Sequence, residues 1–262
     1  EGNVFTLNVP AGEIAVVDLE VPDFTVAPLS TAEITRKGGF FEEFNANHGL
    51  LLKSDFTEQR DDGIIVDESG RQNHGKLIDG LKAVGGALHF AADGAFALYY
   101  LKVPKTPLYE GTIECWARPD SSLAGNRQMV MTNEWIKVGM DNCRWYASFY
   151  DFAKSDSITG PQVKFDQWTH LAFTWNKNVA EFYVNGKKIT RDSGPLFHIN
   201  ALDGISDSNV RLFLGTHHHI RADLFKGQID AVRYYGHYFD KKAMVHKYQE
   251  CLLQRNNAEQ QQ

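Results

Sequence analysis

Hydrophobic and β-branched residues recur in short runs along most of the chain, and Gly, Asn, Asp or Pro bounds each run. Runs of this length and composition are typical of β-strands rather than helices. The clearest of them span residues 14–19, 112–118, 128–131, 169–175 and 210–214. Many short strands separated by turn residues predict an antiparallel sandwich.

The most specific local signal is a hairpin. Two strand-like segments, 180–184 and 187–189, flank the dipeptide Asn185-Gly186. Asn and Gly tolerate the positive φ angles that a type I′ turn requires at its two central positions. The sequence therefore predicts a two-residue hairpin turn at this point.

One helix is predicted, from about residue 240 to 254. Asp240 is a suitable N-cap for it. A stripe with a four-residue repeat follows, formed by Met244, Tyr248 and Leu252. Because residues four apart share one face of a helix, we expect this stripe to dock on a sheet. Residues 256–262 are polar and are predicted to form a frayed tail.

Charge and composition exclude several classes of function. The 262 residues carry 27 Lys and Arg against 33 Asp and Glu, a formal net charge of −6. Binding a nucleic-acid backbone needs a basic face, so this balance argues against a nucleic-acid partner. No run of about 18 apolar residues occurs, so no membrane span is predicted. The chain opens at Glu1 without a signal-peptide core, which fits a cytosolic protein, a mature form or an excised piece.

Five motifs follow one another in an order that is typical of one family. They are residues 67–75 (Asp-x-Ser-Gly-x-x-Asn-x-Gly), 85–90 (Gly-Gly-x-Leu-x-Phe), 112–116 (Thr-Ile-x-x-Trp), 168–186 (Trp-x-His and the hairpin) and 225–235 (a closing strand). The chain thereby resembles the laminin-G-like, concanavalin A-type sandwich domains of secreted proteins. The resemblance implies an all-β fold, an antiparallel two-sheet jelly-roll sandwich with a short C-terminal helix.

The resemblance also predicts how the chain is organised. Residues 49–255 would form the sandwich, and residues 256–262 the polar tail. Residues 1–48 hold further strand-like runs, which either add strands to the sandwich or form the end of a preceding β domain. Family members occur in secreted proteins, so we expect a secreted or extracellular protein, with further domains in the same parent chain.

A calcium site is implied by the same family. In many relatives an Asp on the closing strand supplies an oxygen ligand to Ca²⁺, and Asp230 occupies that position here. An acidic residue near the start of the sandwich would complete the set, for which Asp55 fits best and Asp67 second. Alternatively, Asp230 only accepts a hydrogen bond from a loop, because a carboxylate in an apolar strand needs some partner.

Candidate sugar-binding residues lie outside the family motifs. Trp135 and Trp145 are candidates for stacking on a sugar ring, with the alternative that they fill the space between the sheets. Arg144 would bind a carboxylate, sulfate or hydroxyl, and Tyr146 lies beside it. In a strand, Arg144 and Trp145 point to opposite faces, whereas a loop would let them converge. His218, in a run of three histidines, is a candidate for hydrogen bonds to the ligand.

The other aromatic and sulfur-containing residues suggest structural roles. Three tryptophans fall on the family's strand positions and are expected in the core, namely Trp116, Trp168 and Trp175. Cys115, Cys143 and Cys251 match no zinc-binding spacing, so three free thiols are expected. A single Cys115–Cys143 bridge is the alternative in an oxidising compartment.

Catalytic signatures are missing from the sequence. It contains no strand with the Glu-x-Asp-x-x-Glu pattern of glucan hydrolases, no alginate-lyase motif and no nucleophile elbow. We therefore predict a non-catalytic carbohydrate-binding module of a secreted protein, within a larger polysaccharide-active enzyme or an adhesin. The alternatives are a polysaccharide lyase or glycoside hydrolase with a dispersed Tyr/His/Arg or carboxylate site, and a structural or protein-binding module.

Overall fold

Two antiparallel sheets form a sandwich, as predicted. The structure is a computed structural model that describes residues 49–57, 63–91, 94–102, 110–123, 126–133, 135–151, 154–176, 179–189, 210–217 and 222–259. These residues belong to one unit, Ala46–Gln262. The predicted segment 1–48 and the candidate residue His218 lie outside the described residues.

The first sheet carries the candidate site. Its strands are β1 (Leu50–Ser54), β4 (Lys82–Val84), β5 (Ala87–Phe90), β7 (Gly111–Pro119), β12 (Thr169–Trp175), β13 (Ala180–Val184), β14 (Lys187–Ile189) and β16 (Gly227–Tyr235). They pair in the order β14-β13-β12-β7-β16-β5-β4, and β1 also pairs with β16.

The second sheet lies across the core from the first. Its strands are β2 (Ile64–Ile65), β3 (Gly75–Ile78), β6 (Phe96–Leu101), β8 (Gln128–Thr132), β9 (Ile136–Asp141), β10 (Arg144–Asp151), β11 (Lys154–Gln162) and β15 (Val210–Leu214). They pair in the order β11-β10-β9-β8-β15-β6-β3-β2. A 3₁₀ turn (Ser121–Leu123) and the helix α1 (Lys241–Glu259) complete the described elements.

The predicted hairpin is confirmed between β13 and β14. Asn185 and Gly186 have φ angles of 49° and 70°, so both central turn residues adopt the left-handed conformation that was expected. The strands on either side keep an unbroken antiparallel register from Phe182 opposite Ile189 to Val184 opposite Lys187.

Helix α1 begins where the sequence predicts but extends farther. The Asp240 carboxylate accepts a hydrogen bond from the Ala243 amide (2.8 Å), which confirms the N-cap. Met244 is buried against Ala172 and Tyr183 of the first sheet, so the predicted stripe docks on a sheet. The helix continues to Glu259, through residues where a frayed tail was predicted. No helix in the described part of the chain is long and apolar enough to cross a membrane.

Alternation of side chains divides the first sheet between the core and an outer face that points away from the second sheet. On β7, Ile113, Cys115 and Ala117 belong to the core. Glu114 and Trp116 point to the outer face, where Trp116 packs against Tyr248 of α1 with ring centroids 6.1 Å apart. Helix α1 therefore covers part of the outer face.

All three cysteines are free thiols. Cys115 is buried in the core, whereas Cys143 lies in the turn between β9 and β10. The alternative of a Cys115–Cys143 bridge is therefore not realised in this structure.

The β9–β10 hairpin corrects the expectation that Trp145 and Tyr146 offer surfaces to a sugar. Asn142 and Cys143 form its turn, with φ angles of 47° and 57°, and β10 follows directly. Arg144 is exposed, and alternation turns Trp145 into the core, where it is 1% exposed. Tyr146 is also buried, and its hydroxyl accepts a hydrogen bond from Arg127 Nε (3.2 Å). Neither ring is accessible to a ligand.

The burial of Trp145 predicts a large effect on stability. Replacing Trp145 with Ala removes a buried indole and leaves a cavity, so we expect the free energy of unfolding to fall by about 3–5 kcal/mol. Urea denaturation measures this change. Arg144→Ala, on the same strand but exposed, is the matched control and should change stability by less than about 0.5 kcal/mol. Equal effects of the two substitutions would contradict the burial of Trp145.

Candidate functional site

A pocket of about 600 Å³ opens between the outer face of the first sheet and the C-terminal half of α1. We call it the α1 pocket. Its floor is formed by side chains of β5, β7 and β16, and α1 contributes Gln254 and Arg255 to one wall. Trp168, just before β12, also lines it and is half-buried.

Three polar side chains form a row across the floor. Gln228 on β16 lies opposite Arg118 on β7 and opposite His89 on β5. The Gln228 amide oxygen accepts a hydrogen bond from Arg118 Nη1 (3.4 Å), and its amide nitrogen lies 3.1 Å from His89 Nε2. The row therefore positions donors and acceptors on three adjacent strands, at the open surface of the sheet.

The row continues into a second pocket of about 390 Å³. Both pockets share His89, Arg118 and Gln228 in their linings. The second pocket adds four polar residues to the lining, Asp120, Ser122, Asp166 and Lys226. The α1 pocket and this second pocket together form one outer groove.

Arg255 anchors α1 at the other side of the α1 pocket. Its Nη1 lies 2.8 Å from Asp230 Oδ2, and its guanidinium carbon lies 3.9 Å from the centre of the Trp168 ring. The same carbon is 5.3 Å from the ring of Trp116. An ion pair and two cation–π contacts explain why the helix stays ordered beyond residue 254.

A β-bulge in β16 brings Asp230 and Arg233 to the same face. The register shifts between these two residues, and Ala231 adopts a left-handed φ of 51°. The extra residue lets Asp230 and Arg233 both point to α1, although regular alternation would separate them. Arg233 Nη2 then lies 3.2 Å from Asp55 Oδ1 on the far side of the α1 pocket.

Beside the α1 pocket, helix α1 covers a buried carboxylate. Glu114 is 0% exposed, His170 Nε2 lies 3.2 Å from its Oε2, and the Tyr235 hydroxyl donates to its Oε1 (3.3 Å). Burial alone would raise the pKa of Glu114, but His170, Arg233 and Lys247 together hold that pKa below its usual range. Glu114 is therefore ionised and fully paired.

Three groups of the types that bind metals meet at this carboxylate. Ligand atoms of Glu114, His170 and Cys251 lie within 4.8 Å of one another. However, Arg233 Nη1 lies 3.8 Å from the Cys251 sulfur and already supplies positive charge. Burial also raises the pKa of the Cys251 thiol to about 12, and a thiol must lose its proton to bind a metal. We interpret the cluster as a hydrogen-bonded network that fixes α1.

This fold and its sequence match a known family. Residues 93–242, more than half of the chain, match the family model of the Concanavalin A-like lectin/glucanases superfamily. The chain belongs to this superfamily. The family resemblance that the five motifs indicated is thereby confirmed. A comparison with curated protein sequences finds no match.

Several solved structures share this superfamily fold. The binding domain of botulinum neurotoxin serotype D superposes with a TM-score of 0.60 and 13% identity, over 78% of this chain and 52% of that one. The ligand-binding domain of that toxin in complex with N-acetylneuraminic acid gives 0.58 and 13%, over 78% and 51%. The binding domain of Paraclostridial Mosquitocidal Protein 1 gives 0.58 and 18%, over 77% and 52%. The chain spans about half the length of these structures, and at such identities the likeness shows the fold.

The two predicted calcium ligands, Asp55 and Asp230, both line the α1 pocket. Each carboxylate is paired with an arginine, Asp55 with Arg233 and Asp230 with Arg255. A Ca²⁺ ion would therefore compete with two guanidinium groups, and calcium binding here stays a prediction.

Asp67 was the second candidate for the acidic residue that would complete the calcium site. In the structure it stabilises the opening loop, residues 67–75. Its carboxylate accepts hydrogen bonds from the backbone amides of Lys53 (3.1 Å), Ser69 (2.9 Å) and Asn73 (2.8 Å). Asn73 in turn donates to the Leu51 carbonyl (2.7 Å), so the family's first motif ties this loop to β1.

The structure does not gather the predicted sugar-binding residues into one site. Trp135 is half-buried and packs against the core, while Arg144 is exposed on β10 of the second sheet. Trp175 is a core residue, as expected. Trp116 is buried as expected, but it lies on the outer face under α1 rather than between the sheets. Trp168, also expected in the core, is half-buried, and both rings line the α1 pocket. The sequence of β7 already indicated that Trp116 faces away from the second sheet, because it alternates with residues of the core.

The Asp230–Arg255 pair predicts a pH dependence of stability. Burial raises the pKa of Asp230 to about 6, although Arg255 opposes this shift. The folded state then holds the Asp230 proton more tightly than the unfolded state, so this contribution is present below about pH 4 and is lost as pH rises through about 6. Asp230→Asn cannot titrate and removes the contribution.

We therefore expect the stability of the original protein, relative to Asp230→Asn, to fall by on the order of 1–3 kcal/mol between pH 4 and pH 7. Urea denaturation of both proteins at the two pH values measures the difference. The raised pKa of Asp230 would be ruled out if the stability of the original protein relative to Asp230→Asn were the same at both pH values or higher at pH 7.

Proposed function

We propose that the protein is a non-catalytic carbohydrate-binding module of a secreted protein and that its glycan binds in the outer groove. The parent protein would be a larger polysaccharide-active enzyme or an adhesin. Membership of a lectin and glucanase superfamily supports this proposal. So do the similar solved structures, which are binding domains, one of them in complex with N-acetylneuraminic acid.

The observation that carries the proposal is the polar row beside an aromatic ring. Sugars present hydroxyls along their edges and apolar C–H groups on their faces. Sites that bind them need positioned donors and acceptors together with an aromatic surface. Arg118, Gln228 and His89 supply the polar groups. The half-buried Trp168, one face of which Arg255 covers, supplies a ring at the same opening.

The groove is also preorganised for binding. Arg118 Nε donates to the Asp166 carbonyl (3.1 Å), and Gln228 joins the two neighbouring strands. Side chains that are already fixed lose little conformational entropy when a ligand arrives. The last turns of α1, which Arg255 anchors, give the groove a firm wall.

The proposal predicts that Gln228 contributes to affinity. A glycan array of the purified protein first identifies a ligand, and calorimetry then measures its affinity. We expect Gln228→Ala to weaken binding about 5–10-fold, because a hydrogen bond contributes about 1 kcal/mol. Gln162→Ala, at an exposed glutamine on β11 of the second sheet, is the matched control and should bind normally.

The same measurements test the residues that the sequence nominated. If Trp135→Ala or Arg144→Ala weakens binding while Gln228→Ala does not, the glycan binds to the second sheet and the groove assignment is wrong. An array without any bound glycan would overturn the proposed function. Release of unsaturated or reducing products from the polysaccharides would favour an enzyme instead.

A further inference from the structure

We infer that the outer groove selects glycans that carry isolated anionic groups, carboxylate or sulfate, and that Arg118 binds the anion. This inference rests on the proposed function and names the class of glycan. It is carried by the charge state and the contacts of Arg118, in comparison with the two other arginines of the α1 pocket.

Those other two arginines are already neutralised. Arg233 pairs with Asp55 (3.2 Å), and Arg255 pairs with Asp230 (2.8 Å). Arg118, by contrast, forms no ion pair with a carboxylate in the described ranges of the chain. It is half-buried on the floor of the groove. A guanidinium that is partly removed from water and is not held in an ion pair favours an incoming anion.

Arg118 is also held in place by neutral groups. Its Nε donates to the Asp166 carbonyl and its Nη1 to the Gln228 amide oxygen. A guanidinium has five N–H donors, so these two contacts fix its plane and leave donors for a ligand. The planar fork matches the two oxygens of a carboxylate or a sulfate. The position therefore favours recognition of one anionic group at a defined point of the groove.

The surroundings of Arg118 argue against a densely charged polymer. Asp120 and Asp166 line the second pocket together with one lysine, Lys226, and the whole chain has a formal net charge of −6. These carboxylates can accept hydrogen bonds from sugar hydroxyls but would repel further anions. The groove thus fits a glycan whose anionic groups are separated by neutral sugars, such as a sparsely substituted uronate or a lightly sulfated polymer.

Two matched pairs of polysaccharides test this inference and distinguish the source of the anion. Glucuronoxylan is compared with its carboxyl-reduced form, and κ-carrageenan with its desulfated form. We expect the anionic member of at least one pair to bind about 10-fold more tightly than its neutral partner, with an advantage that shrinks as NaCl is raised. The pair that shows the advantage identifies carboxylate or sulfate as the group that is bound.

Variants assign this preference to Arg118. Arg118→Gln keeps hydrogen-bonding groups but loses the charge, and it should lower affinity for the anionic member about 10-fold while changing the neutral member much less. Arg118→Lys keeps the charge without the planar fork and should restore part of the preference. Arg71→Gln, at an exposed arginine of the opening loop, is the matched control and should leave both affinities unchanged. Thermal melting verifies that each variant is folded.

The outcomes separate this inference from the proposed function. Equal binding of anionic and neutral members, or an undiminished preference in Arg118→Gln, overturns the inference and leaves a carbohydrate-binding module. Failure of all four polymers to bind overturns the inference as well, even where the array identifies a neutral glycan. Absence of binding to every glycan on the array overturns both.

Discussion

The ionised carboxylate of Glu114, buried between the first sheet and α1, is the constraint on which the outer face depends. An unpaired charge at a fully buried position costs several kcal/mol, so the fold must surround it with partners. His170 and Tyr235 come from the strands on either side of β7, and Arg233 contributes positive charge from β16. The helix then excludes water from the cluster. The position of α1 and the irregularity of β16 both serve to satisfy this one group.

The same sheet face is therefore divided into two regions of different character. Under α1, polar side chains are buried and pair with one another, as Glu114 does with His170. Beyond the helix, the row of Arg118, Gln228 and His89 continues on the same strands but remains open. The bulge at Ala231 lies between the two regions and lets Asp230 and Arg233 both reach α1. The groove exists because the helix covers only part of a polar sheet face.

Local patterns predicted the local elements correctly. The Asn185-Gly186 turn, the N-cap at Asp240 and the strand at 169–175 depend on few neighbouring residues, so their sequences suffice to specify them. The end of α1 was placed too early because Arg255 is held by Asp230 and Trp168, contacts between residues that are distant in sequence.

The site was less predictable, for a physical reason. Whether a tryptophan faces the core depends on strand register and on what covers the opposite face. Trp145 was nominated for exposure and is buried, whereas Trp168 was assigned to the core and is half-buried at the α1 pocket. Trp116 is buried as expected, but under α1 rather than between the sheets. The alternation of side chains on β7 was enough to predict that Trp116 faces outwards. The spacing of the core residues Ile229, Val232 and Tyr234 also departs from strict alternation, and this departure marks the bulge.

The pairing of β1 with β16 has a consequence for how the molecule is made. Leu50 lies opposite Tyr235, so the first strand of the described chain pairs with the last one. Contacts between such distant residues form slowly, because a long loop must close before they can stabilise anything. During synthesis, β1 emerges from the ribosome long before its partner strand exists. Its residues Leu51 and Leu52, which are buried in the finished fold, therefore remain unpaired and exposed until β16 has been made.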